Sequence, residues 1–376
     1  MNEKEVSELR RRLRPDRCGI THIRGCCVNE NREVIAQFDQ SLALLGQDEG
    51  ERFLALLKRA LSGALGKQLV DISFTTQQVV DSDEHRLLMA LRDSRLKDEE
   101  AVQNFFQRAI EGLDMEGNYL ILLAHDVYDV PYRSKDGEEQ GDASADVYSY
   151  ILCAVCPVKL TKPALSYRAA ENEFYSRAVD WLVAPPETGF LFPAFDNRCA
   201  NLYNSLLYTK DSGEAHEGFV QAIFHCEPPM PAQIQKETFQ SVLGDALEEE
   251  CSMEVVQAVR EQLCDMLAEH KETPDAGPLA LSKGAVKCVL KSCGVSDSHV
   301  ERFDGKYDDA FGADTALTTQ NLVDPKHIQV CTPNVTIQVD PERSDLVETR
   351  IINGTKYILI RADEGVEVNG ISVHID

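Results

Sequence analysis

Apolar positions along this chain recur with two periods, and the switches between them mark out its elements. Phe53, Leu57, Leu61 and Leu65 repeat every fourth residue, which predicts an amphipathic helix over Asp48–Leu65 with Gly66 placed to end it. A first helix over Lys4–Leu13 stops before Pro15. Ile20–Gly25 alternates like a strand, and Asn29-Glu30-Asn31 turns it into a second strand around Glu33–Phe38, a hairpin. Leu69–Phe74 reads as a short strand, and Ser82–Leu113 as helical with a break near Lys97. Tyr119–Ala124 and Val147–Val155 are continuous apolar runs of strand length, as expected of sheet interior. Between them Ser134–Asp146, acidic and holding Gly137 and Gly141, predicts an exposed loop. Trp181–Phe195 is extended and punctuated by prolines, and Asn201–Tyr208 completes a mixed α/β N-terminal unit.

Three prolines in Glu227-Pro228-Pro229-Met230-Pro231 forbid a continuous helix there and suggest a linker. Beyond it Val256, Val259, Leu263, Met266 and His270 follow a helical spacing, with Ser252 as the N-cap. Pro274-Asp275-Ala276-Gly277-Pro278 breaks that pattern. Helices are predicted over Ser282–Ser292, closed by Gly294, and over Asp297–Phe311. The last fifty residues alternate with period two at Val335/Ile337/Val339 and Ile371/Val373/Ile375. Asn353-Gly354 and Asn369-Gly370 each sit between apolar runs, a strong hairpin signal. The expected fold is α+β: a mixed domain over residues 1–226, a helical region over 232–322 and a small antiparallel β module over 326–376.

Composition adds bounds. Hydrophobic residues make up 43% and charged residues 27% of 376, so the chain can bury a sizeable core. Its net charge of −25 repels phosphate backbones and anionic membranes, which disfavours general DNA binding. No apolar run approaches the ~20 residues of a spanning helix, and no apolar segment follows Met1-Asn2-Glu3-Lys4-Glu5 as in a signal peptide. Twelve cysteines fall well short of disulfide-scaffold density, so a reducing cytoplasm is the expected location.

Candidate chemistry is sparse. His125, Asp126 and Asp129 follow an apolar run, where a strand end often carries catalytic groups, and a His beside a carboxylate suits general base chemistry. Adjacent residues on an extended backbone point to opposite faces, however, which favours a plain polar strand-to-loop transition. Cys153-Ala154-Val155-Cys156-Pro157 contains a C-x-x-C without the further ligands that zinc requires. A strand leads into it, unlike the helix N-terminus of a redox pair, so two buried thiols are the better reading and no metal is expected. Gly63-Ala64-Leu65-Gly66-Lys67 is too short for a P-loop, and no motif names a cofactor.

Arg10, Arg11, Arg12, Arg14 and Arg17 form one basic cluster, suited to another protein or to RNA phosphates, or to this chain's own acids. Lys283, Lys287 and Lys291 line one face of a helix whose successor carries Asp297, Glu301, Asp304, Asp308 and Asp309, a poor reader of a major groove. The runs Asn118–Asp126, Gly189-Phe190-Leu191-Phe192-Pro193-Ala194-Phe195-Asp196, Val366-Glu367-Val368-Asn369-Gly370 and Arg59–Lys67 resemble domain-of-unknown-function family 4317 over nearly the whole chain. That resemblance implies a bacterial cytoplasmic protein and carries no catalytic residue, cofactor or activity with it. The expected function is binding or regulatory, through the β module or the arginine cluster. The alternative is an enzyme, of hydrolase type, with an unrecognised site near His125, Asp126 and Asp129.

Overall fold

The computed structural model of this protein describes every residue except 134–138, 273–276, 363–364, 369–370 and 375–376. For residues 132, 133, 139–146, 177 and 342 it describes the backbone alone. The chain forms two compact units, Met1–Ile234 and Gln235–Asp376, in an α+β fold.

In the first unit the order is α1 (Glu3–Arg12), β1 (His22–Val28), β2 (Val34–Ser41), α2 (Gln47–Arg59), β3 (Leu69–Ser73), α3 (Thr76–Asp81), α4 (Asp83–Asp93) and α5 (Glu99–Gly112). Then come β4 (Asn118–Arg133), β5 (Glu139–Leu160), β6 (Ala164–Arg168), β7 (Glu173–Arg177), β8 (Trp181–Val183) and β9 (Thr188–Phe192). The short β10 (Ala194–Asp196) and β11 (Cys199–Asn201), β12 (Asn204–Thr209) and α6 (Glu217–Phe224) complete the unit. One antiparallel sheet runs β2-β1-β4-β5-β9-β12-β3, with β8 also paired to β5.

Both faces of this sheet are covered, so the central strands carry apolar residues at odd and even positions alike. Tyr119, Ile121 and Leu123 of β4, with Ile151, Cys153 and Val155 of β5, pack beneath α4, α5 and α6. Leu120, Leu122 and Ala124, with Leu152, Ala154 and Cys156, face α1 and α2 instead. Strand geometry thus sorts one continuous apolar run into two separate cores. Each large side chain wholly buried in them contributes roughly 1.5–3 kcal/mol.

Past Val158, where β4 ends against it, the β5 strand has only one neighbour. Lys159 and Leu160 pair with Leu182 and Trp181, and Ala164–Arg168 then pairs with Glu173–Arg177 in the same register. The result is a two-stranded ribbon that leaves the body of the sheet.

In the second unit α7 (Ala232–Leu247) brings the chain in from Pro231, and α8 (Met253–Lys271) follows, with Ser252 Oγ accepting from the Val255 amide at 3.2 Å. The tiny β13 (Ala280–Leu281), α9 (Lys283–Ser292), α10 (Asp297–Phe311), β14 (Leu317–Thr318) and α11 (Thr319–Leu322) share a core centred on Phe239, Leu263, Leu290, Phe303 and Tyr307. The lysine face of α9 is spent internally: Lys283 reaches Asp308 at 2.7 Å, Lys287 reaches Asp304 at 2.8 Å and Lys291 reaches Asp297 at 2.7 Å.

Three hairpins end the chain: β15–β16 (Ile328–Thr332, Val335–Val339), β17–β18 (Val347–Ile352, Thr355–Ile360) and β19–β20 (Val366–Val368, Ile371–Val373). Asn353 and Gly354 both have positive φ, 52° and 81°, the geometry of the tight turn that this dipeptide prefers. Asn369-Gly370 and residues 274–276 of the proline break lie outside the described residues.

Two expectations need correction. The helix expected to reach Leu65 ends at Arg59, because Ala60 caps it and the chain turns through Gly63 at φ 111°. Leu61 and Leu65 are nevertheless buried, so their spacing reported burial and not helix. The loop expected over Ser134–Asp146 is mostly strand: β5 begins at Glu139, paired to Arg133. Backbone pairing along a long antiparallel ladder outweighs an acidic, glycine-bearing composition.

Where α5 meets α6, backbone touches backbone. A Cβ on Gly218 would lie 2.4 Å from the Gly112 carbonyl oxygen. Gly218→Ala therefore forces the two helices apart and is expected to cost about 2 kcal/mol or more. Urea unfolding followed by circular dichroism measures this; an unchanged midpoint would show that the contact yields freely.

Candidate functional site

The strongest concentration of buried polar groups lies under α1. That helix is started by a capping box, in which the Glu5 amide donates to Asn2 Oδ1 at 3.0 Å and the Asn2 amide donates to Glu5 Oε2 at 2.8 Å. Its last turn carries Arg10, Arg11 and Arg12, where cations suit the helix dipole. Arg12 turns inward. Its guanidinium donates to the Val127 carbonyl at 3.2 Å, lies 3.5 Å from Asp126 Oδ2, and sits 4.0 Å from the centre of the Tyr128 ring.

Asp126 is almost wholly buried on β4. Its Oδ1 accepts from the Gly19 amide at 2.6 Å and from the Val127 amide at 2.9 Å, and its Oδ2 accepts from the Tyr150 hydroxyl at 2.7 Å. Gly19 must be glycine for this approach, since a Cβ there would meet Asp126 Oδ1 at 2.8 Å. Burial, and then the Asp126 charge, hold the Tyr150 phenol far above its ordinary pKa, so it stays protonated and donates. Tyr148 stacks on Tyr150 at 4.8 Å and gives its own hydroxyl proton to the Pro193 carbonyl at 2.6 Å.

The network continues on the other side of Arg12. The Tyr128 hydroxyl donates to Glu8 Oε1 at 2.5 Å, and burial together with Glu8 pushes that phenol up to about 12. Arg198 bridges Glu8 at 2.8 Å and the Pro131 carbonyl at 3.0 Å. Every charge in this cluster faces an opposite charge or a donor, and the cluster is a clamp holding α1 onto the β4–β5 pair. Tyr150, Tyr128, Glu8, Arg198 and Gly19 gave no motif in the sequence. Only the tyrosines at even positions of an apolar strand hinted that a polar partner was needed beneath it.

His125 lies on the opposite face. Its Nε2 is 2.8 Å from Ser149 Oγ, and burial followed by the nearby Arg95 lowers its pKa to about 4, leaving a neutral imidazole. Asp129 shares the His125 side of the strand but is four residues further on, about 13 Å at strand rise, and is exposed. The fold does not bring the three candidates together. Lys159 is exposed on the ribbon and Asp196 belongs to β10, so neither completes a site with them. A groove of about 470 Å³ between β2 and α5 is lined by Arg32, Gln37, Gln103 and Phe106 and by none of the candidates. Its amides close on each other, Gln103 and Gln37 donating across it at 2.6 and 2.9 Å.

Residues 1–371 match the family model described as Domain of unknown function (DUF4317). The chain belongs to that family. No curated protein matches it, and the family description names no activity.

Two further features of this DUF4317 chain concern binding chemistry. Cys153 and Cys156 are both buried, and three steps along a strand put them on opposite faces, one in each core. Burial pushes the Cys153 thiol far up and Cys156 up to about 12, so neither offers a thiolate. Among the described residues no group of three or more His, Cys, Asp or Glu side chains is arranged to hold a metal ion. Of the arginine cluster, Arg11, Arg14 and Arg17 are exposed, Arg17 pairs with the neighbouring Asp16 at 3.6 Å, and Arg12 is committed inside.

Two outcomes follow from this geometry. Asp126→Asn leaves Arg12 facing a neutral group and removes the charged acceptor of Gly19 and Tyr150, and is expected to cost about 2–4 kcal/mol in denaturant unfolding. A cost under ~0.5 kcal/mol would show that the clamp holds nothing. His125 takes up its proton near 6.5 when unfolded but only near 4 when folded. The unfolded state therefore binds more protons between those values, and stability is full above pH 6.5 and falls as pH drops toward 4, by up to about 3 kcal/mol. His125→Gln should lose that component, so the two stability-versus-pH curves diverge in this window; parallel curves would refute it.

Proposed function

We propose that this chain is a non-catalytic binding protein whose C-terminal β hairpins, within residues 326–376, receive an extended strand of another protein. The observation that carries this reading is the state of those hairpins. β15–β16, β17–β18 and β19–β20 each pair only within themselves among the described residues, leaving edge groups open for strand addition. Among the described residues their buried cluster is Ile328, Val339 and Val347, whereas Ile351 and Ile371 are 71% and 69% exposed. Exposed apolar side chains beside open strand edges are what an incoming strand covers. Separation of His125 from Asp126 weighs against the catalytic alternative. A bacterial cytoplasmic setting suits a chain whose cysteines form no disulfide among the described residues.

The test uses the full-length chain. Wild type is expected to retain a saturable protein partner from extracts, and Ile351→Lys with Ile371→Lys is expected to lose it at least tenfold with an unchanged unfolding transition. Equal capture by both forms, or none by wild type, overturns the reading.

A further inference from the structure

The strand β2 ends one side of the large sheet, and among the described residues it pairs with β1 alone. Just past it the Leu42 amide donates to the Thr21 carbonyl at 2.9 Å, and bonded pairs alternate along an antiparallel ladder. In that register Phe38 and Gln40 turn their backbone groups toward β1. Gln37 and Asp39 turn theirs outward, where no described strand meets them. The side chains of these two residues point to the face that α5 covers, since Gln37 bonds Gln103 and Asp39 meets Arg24, itself paired with Glu99. Open backbone thus borders a groove whose other wall is a helix. Two compartments of that groove share Gln37 and Phe106. The larger, about 470 Å³, adds Val34 and Ile110, and the smaller, about 150 Å³, is flanked by Asp39 and Glu99.

The geometry points to β2 and α5 as a docking groove for a basic, extended segment of another protein, added as a further strand beside β2. Backbone chemistry selects an extended segment, because a strand supplies donors and acceptors in the register of Gln37 and Asp39. Charge selects a basic one. β2 and α5 carry Asp39, Glu99, Glu100 and Glu111 against Arg108, which is committed to Glu84 of α4 at 2.9 Å. Two further arginines reach the groove, and both are paired. Arg24 is only 11% exposed beneath Asp39 and Glu99, which are 47% and 64% exposed, and Arg32 lies 3.5 Å from Asp114. An incoming strand therefore meets carboxylate. The net charge of −25 adds long-range attraction for a cationic segment and repels RNA. In a strand laid opposite Gln37, residues two apart, about 7 Å, face α5 together. An apolar side chain in the larger compartment and a lysine in the smaller, at i and i+2, match the two linings. This groove belongs to the first unit, and the inference is independent of the C-terminal hairpins and of any strand they receive.

Fluorescence anisotropy on the full-length chain tests it with a labelled peptide, Lys-Thr-Val-Thr-Lys blocked at both ends, which presents the same pattern in either strand direction. Saturable binding below ~1 mM is expected, weakened at least tenfold when both lysines of the peptide are replaced by glutamate. Gln37→Pro removes an outward N–H without touching the ladder to β1 and is expected to lower affinity by about tenfold or more. Should that variant not fold, Glu99→Gln with Glu111→Gln keeps side-chain size and is expected to lose about fivefold with an unchanged unfolding transition. Ile351→Lys with Ile371→Lys should bind the peptide as wild type does, which separates this groove from the hairpins. Absence of saturation, or equal affinity for the acidic peptide, overturns the inference. So does wild-type affinity in either groove variant with its fold intact, and so does loss of binding in the hairpin variant.

Discussion

Alternation across the β4–β5 pair, buried on both faces, governs much of what the first unit can and cannot do. A strand sends neighbouring side chains to opposite sides, and here each side is a separate dry core. Residues that look like a constellation in the linear sequence are therefore pulled apart by the thickness of the sheet. His125 goes to the α4 side and Asp126 to the α1 side, and Cys153 and Cys156 part in the same way. Burial on both sides also means that each polar group on these strands must find its partner locally. Asp126 does so through Gly19 and Tyr150, and His125 through Ser149.

The clamp under α1 shows how an acidic chain uses its few cations. Arg12 and Arg198 each meet a carboxylate and a backbone carbonyl beneath α1, and Lys283, Lys287 and Lys291 pair with part-exposed or exposed carboxylates between two helices. Partly buried pairs of this kind hold elements in register more than they add net stability, because desolvation offsets much of the attraction. A cluster of like charges in sequence is thus a poor guide to a binding surface when opposite charges wait on a neighbouring element.

Much of the fold was legible from apolar spacing. The α4–α5 break, the β1–β2 hairpin, the Ser252 cap and the two helices on either side of Gly294 all rest on local chemistry, and local chemistry is what sequence displays. The misses share a cause. Leu61 and Leu65 kept a helical spacing because both are buried, although the helix had already ended at Arg59. Residues 139–146 read as a loop by composition, yet Glu139, Gln140, Ser144 and Asp146 pair with β4 across an irregular stretch of the ladder. The polar network was the least legible part, since Glu8, Gly19, Asp126, Tyr150 and Arg198 come from five separate stretches and meet only through the sheet.

Burial divides the β structure of this chain into strands covered on both faces and strands left largely exposed. Central strands gain from burial on both faces, as Ile121, Leu122, Leu152 and Cys153 show. The paired strands past Val158 and the terminal hairpins gain almost nothing from burial, since a two-stranded unit has no interior. Selection for folding alone would place polar residues there, because exposed Leu, Phe, Trp and Ile stabilise nothing in water and invite aggregation. Such residues nevertheless stand exposed in both places, among them Leu165 and Phe174 in the ribbon and Ile351 and Ile371 in the hairpins. The doubly covered sheet, in turn, supplies the rigid base from which such a weakly supported ribbon can be held out.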